Sequence, residues 1–158
     1  MRSPISHQDN VLRAVDTPEA MAGLGGRIAA LLRSGEAVCL WGPLGAGKST
    51  LARGLIRALT SPEEEVPSPT FTLVQAYAGR GLQVSHFDLY RLKSPAEALE
   101  LGLDEALDEG AVVIEWPERL GGALPGDRLD IEIALNEGGG RRVRLTPHGA
   151  WGGRQLEF

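Results

Sequence analysis

Eight consecutive residues, Gly42-Pro43-Leu44-Gly45-Ala46-Gly47-Lys48-Ser49, constrain this chain more than any other segment. They match the pattern G-x-x-x-x-G-K-[ST], in which glycines let backbone amides wrap closely around a phosphate. Lys48 supplies a compact positive charge, and the Ser49 hydroxyl suits a bound Mg²⁺. The flanks agree with this reading. Residues 37–41, Ala-Val-Cys-Leu-Trp, form a short apolar run of the kind found in buried strands, and residues 51–59 carry the apolar spacing of a helix. Strand, glycine loop and helix is the order the motif needs, because the helix N-terminus adds its own attraction for anions. Lysine occurs only at Lys48 and Lys93, every other basic residue apart from histidine being arginine, so an ammonium stands at the loop of a chain that otherwise avoids it. A bound nucleoside triphosphate is the reading, with Leu44, Gly45, Ala46, Gly47, Lys48, Ser49 and Thr50 as its candidate contacts. The competing reading is a glycine-rich turn with a solvent-facing lysine.

A length of 158 residues with 42% hydrophobic and 23% charged content fits one compact domain with a sizeable core. Residues 1–10 read as a loose N-terminal tail and residues 146–158 as a C-terminal tail. The formal net charge of −5 argues against a broad nucleic-acid-binding face, although Arg141, Arg142 and Arg144 could form a local basic patch. No apolar run is long enough to span a bilayer and the N-terminus is polar, so a cytoplasmic protein without a membrane partner is expected. The single cysteine, Cys39, excludes an internal disulfide and reads as inert packing. His7, His86 and His148 are scattered, without metal-ligand spacing.

Thr17-Pro18-Glu19-Ala20 reads as an N-cap followed by proline at the first helical position, opening a helix to about Arg33. Past the loop helix, Ser61-Pro62 and the acids Glu63, Glu64 and Glu65 mark an exposed connection. Residues 71–77 and 82–87 read as strands joined through Gly79-Arg80-Gly81 into an antiparallel hairpin. Ser94-Pro95-Ala96-Glu97 is a capping box that starts a helix to about Leu101, and a second helical piece is expected around residues 104–107. Residues 111–114 are uninterruptedly apolar, as in a central strand, and end at Glu115. The alternation of Leu129, Ile131, Ile133 and Leu135, then Gly138-Gly139-Gly140 and residues 141–145, predicts another hairpin. The fold class is therefore α/β: a P-loop NTPase-like single domain with a mixed central sheet, flanking helices and antiparallel hairpins.

Hydrolysis or transfer of a phosphoryl group needs a carboxylate near the metal and a group that orients the attacking species. Glu115 is the metal-side candidate, because open α/β sheets bind their ligands beyond the C-terminal ends of their strands. Asp88 closes its strand in the same manner and could position the nucleophile or merely cap the following turn. Thr70, on a proline-stiffened loop, could sense the γ-phosphate as switch loops do, or simply shape the turn. Arg91 and Arg119 lie near these strands and could neutralise developing charge, or form surface ion pairs.

Four blocks together carry a resemblance. Leu44-Gly45-Ala46-Gly47-Lys48-Ser49, Ser68-Pro69-Thr70-Phe71-Thr72-Leu73-Val74, His86-Phe87-Asp88-Leu89-Tyr90-Arg91-Leu92 and Ile114-Glu115-Trp116-Pro117-Glu118-Arg119 resemble, in order and spacing, the blocks of the TsaE (YjeE) family. These are small bacterial P-loop ATPases needed to make threonylcarbamoyladenosine in tRNA. The likeness runs from about residue 17 to residue 145. It implies that Lys48 and the loop amides hold the phosphates of ATP, that Ser49 and Glu115 hold Mg²⁺, that Asp88 is a second acid required for hydrolysis, and that Thr70 lies in a switch-like segment. It also points to nucleotide contacts at Thr17 and around Gly139 to Arg141. Ser49 stands where many relatives have threonine, which preserves the hydroxyl. By the same likeness the chain would act with TsaB and TsaD, reaching tRNA only through that complex, to modify the adenosine beside the anticodon in tRNAs reading codons that begin with A. Three other functions compete: a small-molecule P-loop kinase, a non-catalytic nucleotide-dependent interaction module, and a GTP switch, the last lacking an Asn-Lys-x-Asp segment.

Overall fold

The structure, a computed structural model, describes residues 10–69 and 71–156. Seven strands form one mixed sheet: β1 (Val11–Val15), β2 (Ala37–Trp41), β3 (Val74–Ala78), β4 (Gln83–Asp88), β5 (Ala111–Glu115), β6 (Arg128–Leu135) and β7 (Arg141–His148). Their spatial order is β1-β7-β6-β2-β5-β4-β3. The central strands β6, β2, β5 and β4 run parallel. The flanking pairs β3–β4, β6–β7 and β7–β1 are antiparallel, so both expected hairpins are present. With the helices on its two faces this is a single α/β domain with the architecture expected of a P-loop NTPase.

Among the described residues four α-helices and a 3-10 segment cover the sheet. On one face α1 (Pro18–Ala29) and α2 (Lys48–Leu59) bury Met21, Leu24, Ile28, Leu51, Leu55 and Ile56 against Val38, Val113, Leu129 and Ile131. On the other, α3 (Pro95–Glu100), α4 (Leu103–Glu109) and a 3-10 segment (Pro117–Ala123) pack Ala98, Leu103 and Leu120 on Cys39, Phe87 and Ile114. Central strands buried on both faces read as continuous apolar runs, as β2 and residues 111–114 of β5 do. Among the described residues no helix is long and apolar enough to cross a membrane.

Local chemistry explains the element ends. Thr17 caps α1 by accepting the Ala20 N–H at 3.0 Å, and Glu97 reaches back to the Ser94 N–H at 3.1 Å to open α3. α1 ends at Ala29 rather than near Arg33. There the bonds Leu31 N–H to Ile28 and Leu32 N–H to Ala29 tighten the last turn, and the Glu36 carboxylate takes the Arg33 N–H at 3.0 Å. Residues 71–73 are turn rather than strand: Leu73 adopts φ 69°, its N–H donating to Pro69 O at 2.6 Å, so β3 begins only at Val74.

Two terminal segments differ from expectation. Residues 1–9 of the expected N-terminal tail lie outside the described residues; directly after Asn10, β1 pairs with β7 as an edge strand. Residues 146–156 are not a tail. Thr146, Pro147 and His148 complete β7, Trp151 is fully buried, Leu156 is buried, and Arg154 donates to Leu31 O at 2.9 Å and to Glu36 Oε1 at 2.8 Å. A Trp two residues past a glycine turn has its large apolar area drawn into the core, which outweighs the polar composition around it.

Helices α1 and α2 meet through glycines. A Cβ on Gly25 would lie 2.2 Å from Leu51 O, and one on Gly54 would lie 2.2 Å from Ala22 O, so each helix backbone rests against a glycine of the other. Gly23, on the exposed side of α1, has open space at its Cβ position. Gly54→Ala should therefore destabilise the fold by about 1–3 kcal/mol. Gly23→Ala should be neutral or stabilising by up to about 1 kcal/mol. Urea denaturation of the two variants checks the contrast; equal effects would contradict the close helix contact.

Candidate functional site

The loop 42–47 leaves the end of β2 and turns into α2 at Gly47, whose φ of 118° is a conformation a side chain would resist. Around it lies a pocket of about 270 Å³ lined by the loop and α2 start from Leu44 to Thr50, by Asp16, Thr17, Pro18 and Met21, and by Glu115 and Arg141. Every expected loop contact, from Leu44 through Thr50, therefore lines one cavity, and Thr17 joins them. Gly139 does not; it sits in the β6–β7 turn, and the hairpin instead sends Arg141 inward. Arg141 Nε donates to Ala46 O at 2.8 Å and Nη2 to Gly45 O at 3.2 Å, which ties the hairpin to the loop.

Lys48 is nearly buried, at 5% exposure. Its ammonium donates to Gly42 O and, at 3.3 Å, to Pro43 O, and it lies 3.7 Å from the centroid of the Trp116 ring. A buried ammonium held by carbonyls and an aromatic face is a charge ready for a better partner. Burial pulls its pKa below that of an ordinary lysine, against the opposing pull of Glu115, Glu118 and Asp88. Trp116 itself adopts φ 61° and packs against Tyr90 in a tilted pair, with ring centroids 4.8 Å apart and planes at 53°.

The two carboxylates sit side by side. In the parallel register Glu115 pairs with Asp88 on one side and with Leu40 on the other, so both acids stand in the row where β2 gives way to the loop. The Ser49 hydroxyl donates to Glu115, with its oxygen 3.1 Å from Oε1 and 3.3 Å from Oε2, and His86 Nε2 lies 2.7 Å from Oε2. A hydroxyl and a carboxylate in contact are hard oxygen donors of the kind Mg²⁺ takes in small number, the remainder coming from phosphate and water. No group of three or more His, Cys, Asp or Glu side chains suited to a metal occurs among the described residues. Asp88 does not line the cavity and is buried, its carboxylate accepting the Tyr90 N–H at 3.1 Å. Burial pushes its pKa above the usual aspartate range; the Tyr90 N–H opposes this, Glu115 reinforces it, and His86 and Lys48 oppose it.

Other expectations fare differently. Thr70 lies outside the described residues. Arg91 and Arg119 do not line the cavity but lie over aromatic rings, Arg91 Cζ 4.9 Å from the Phe71 centroid and Arg119 Cζ 5.8 Å from that of Tyr90. Arg142 and Arg144 are exposed, while Arg141, one residue before Arg142 on a strand whose side chains alternate, faces the loop; the three form no single patch. Cys39 is fully buried, and burial, reinforced by Asp130 and opposed by Arg128, raises its thiol pKa, in keeping with inert packing.

Sequence reasoning missed His86, Met21 and Trp116. His86 had a signal: Val84, His86 and Asp88 alternate along β4, which puts the histidine on the face of the second acid. Met21 reaches the pocket only because α1 packs on α2, and Trp116 reaches Lys48 only through its left-handed backbone.

Comparison with known proteins agrees with this architecture. A sequence profile of the family described as "Threonylcarbamoyl adenosine biosynthesis protein TsaE" matches residues 15–143. Proteins named tRNA threonylcarbamoyladenosine biosynthesis protein TsaE are similar along most of the chain. That of Streptomyces coelicolor is 42% identical over 72% of this chain and 78% of its own. Those of Rickettsia bellii and Nostoc sp. are 38% and 37% identical, over 75% and 82% of this chain and 82% and 81% of theirs. The crystal structure of Bacillus subtilis YdiB superposes with a TM-score of 0.74 at 28% identity, covering 89% of this chain and 86% of that one. With the phosphate loop, the paired strand-end acids and a family match from β1 into β7, this chain belongs to the TsaE family of threonylcarbamoyladenosine biosynthesis proteins.

Proposed function

We propose that this protein binds and hydrolyses ATP with Mg²⁺ and does so as the accessory ATPase of tRNA threonylcarbamoylation, working with a TsaB–TsaD complex that itself meets the tRNA. The observation that carries the reading is the contact of Ser49 with Glu115 at 3.1 Å beside a loop whose lysine donates to loop carbonyls and faces an indole ring. The family supports the pathway, since the relatives are named for threonylcarbamoyladenosine biosynthesis. The formal charge of −5 fits a protein that reaches RNA through partners.

In this mechanism the loop amides and Lys48 bind the β- and γ-phosphates, Lys48 giving up Gly42 O and the Trp116 face for phosphate oxygens. Ser49 and Glu115 would hold Mg²⁺, which would supply charge neutralisation at the phosphate oxygens. Asp88, one strand over from Glu115 and without contact to Ser49, orients the attacking water and accepts its proton. Its raised pKa makes it a stronger base than an ordinary aspartate. Thr70, in the segment leading to β3, is the proposed γ-phosphate sensor.

Replacing Glu115 tests this assignment. Glu115→Ala should lower phosphate release by roughly 100-fold or more, while nucleotide binding changes much less. Adding TsaB and TsaD should raise the wild-type rate. Phosphate release unaltered in Glu115→Ala would refute the metal-side role, and a phosphorylated nucleoside in place of free phosphate would favour a kinase.

Asp88 makes a separate prediction about stability. Because its folded pKa is raised, the native state holds the proton more tightly than the unfolded chain, and the penalty for the ionised form sets in as pH rises from the unfolded value of about 3.9. Asp88→Asn keeps an acceptor for the Tyr90 N–H and removes that penalty. The variant should melt at a higher temperature than wild type at neutral pH, the gap closing as pH falls toward 4, with hydrolysis lost throughout. A lower melting temperature at neutral pH would contradict the burial account.

A further inference from the structure

We propose that His86 is a positioning residue for the cation site: it holds Glu115 Oε2 so that Oε1 stays turned toward Ser49 and the metal. The assignment rests on the ATP–Mg²⁺ reading above. Its basis is a buried contact between two side chains at 1% and 4% exposure, with His86 Nε2 2.7 Å from Oε2. A carboxylate only accepts, so Nε2 carries the proton and donates. The other ring nitrogen, Nδ1, is buried and has no hydrogen-bond partner among the described residues. The histidine thus leaves one polar atom unsatisfied in return for this single contact, where an aliphatic residue between Val84 and Asp88 would pack without that cost.

Backbone register explains why it is a histidine that serves. His86 pairs with Val113, one step deeper in the sheet on the same face as the Asp88–Glu115 pair. A side chain there must reach along the strand direction to meet the Glu115 carboxylate, and the imidazole Nε2 has that reach. The terminal torsion of a glutamate is broad, so with Ser49 alone, whose hydroxyl lies at 3.1 Å from one oxygen and 3.3 Å from the other, neither oxygen would be singled out. His86 breaks the tie. Groups behind a metal ligand commonly govern affinity in this way.

Binding of ADP to the purified full chain, measured by calorimetry in excess Mg²⁺ and again in EDTA, tests the assignment without reference to turnover. Wild type should bind more tightly with Mg²⁺. His86→Leu should cut that Mg²⁺ enhancement roughly 10-fold and leave the affinity in EDTA unchanged. His86→Gln, whose amide nitrogen has a reach close to that of Nε2, should keep most of the enhancement. In a Glu115→Ala background His86→Leu should add no further loss. Should His86→Leu fail to fold, His86→Asn, whose amide stops short of Oε2, carries the same expectation. A folded Leu or Asn variant with the full wild-type enhancement overturns the proposal, as does an equal loss of affinity in EDTA. Wild-type binding that is indifferent to Mg²⁺ overturns the metal reading itself, and this assignment with it.

Discussion

The parallel register of β2, β5 and β4 determines where the site's side chains can meet. It sets Leu40, Glu115 and Asp88 in one row, so the two acids end their strands beside the point where β2 becomes the phosphate loop. A slip of one residue in β5 would turn Glu115 to the opposite face of the sheet and into the apolar layer under α4. The apolar runs of β2 and β5 enforce the register because both faces are covered.

Ionisable side chains crowd around that row at a cost in stability. Lys48, His86, Asp88 and Glu115 are all buried, and the pKa shifts of Lys48 and Asp88 both disfavour their charged forms. The apolar packing of α1 and α2 offsets this, and the glycine contacts between those helices let α2 sit close enough to aim its N-terminus at the pocket. Arg141 adds a polar tie from the far hairpin to the loop carbonyls. In this structure Lys48 spends its hydrogen bonds on the loop itself, a local arrangement that a triphosphate would displace.

Much of this was legible in the chain. The phosphate loop, the capped starts of α1 and α3, both hairpins and the strand-end position of Glu115 follow from local patterns, because each depends on residues close in sequence. What was not legible depends on residues far apart. β1 has no clean alternation and exists because β7 offers an edge; Trp151 is buried because the sheet face beneath it needs covering; Leu73 turns because Pro69 O and the Asp88 N–H bracket it. At the site, Leu44 to Thr50, Thr17 and Arg141, the last from the Gly139–Arg141 stretch, line one pocket, while Gly139 stays in the β6–β7 turn. His86 was read as scattered because the one-dimensional spacing of histidines and acids hides a contact made across two strands.

A crystal structure with a non-hydrolysable ATP analogue and Mg²⁺ tests the central claim most directly. In that complex Ser49 Oγ should lie about 2.1 Å from the metal, with Glu115 holding it directly or through its water, and Lys48 should have moved from Gly42 O and the Trp116 ring onto the phosphates. A complex in which Lys48 stays on Gly42 O, with the metal away from both Ser49 and Glu115, would contradict it.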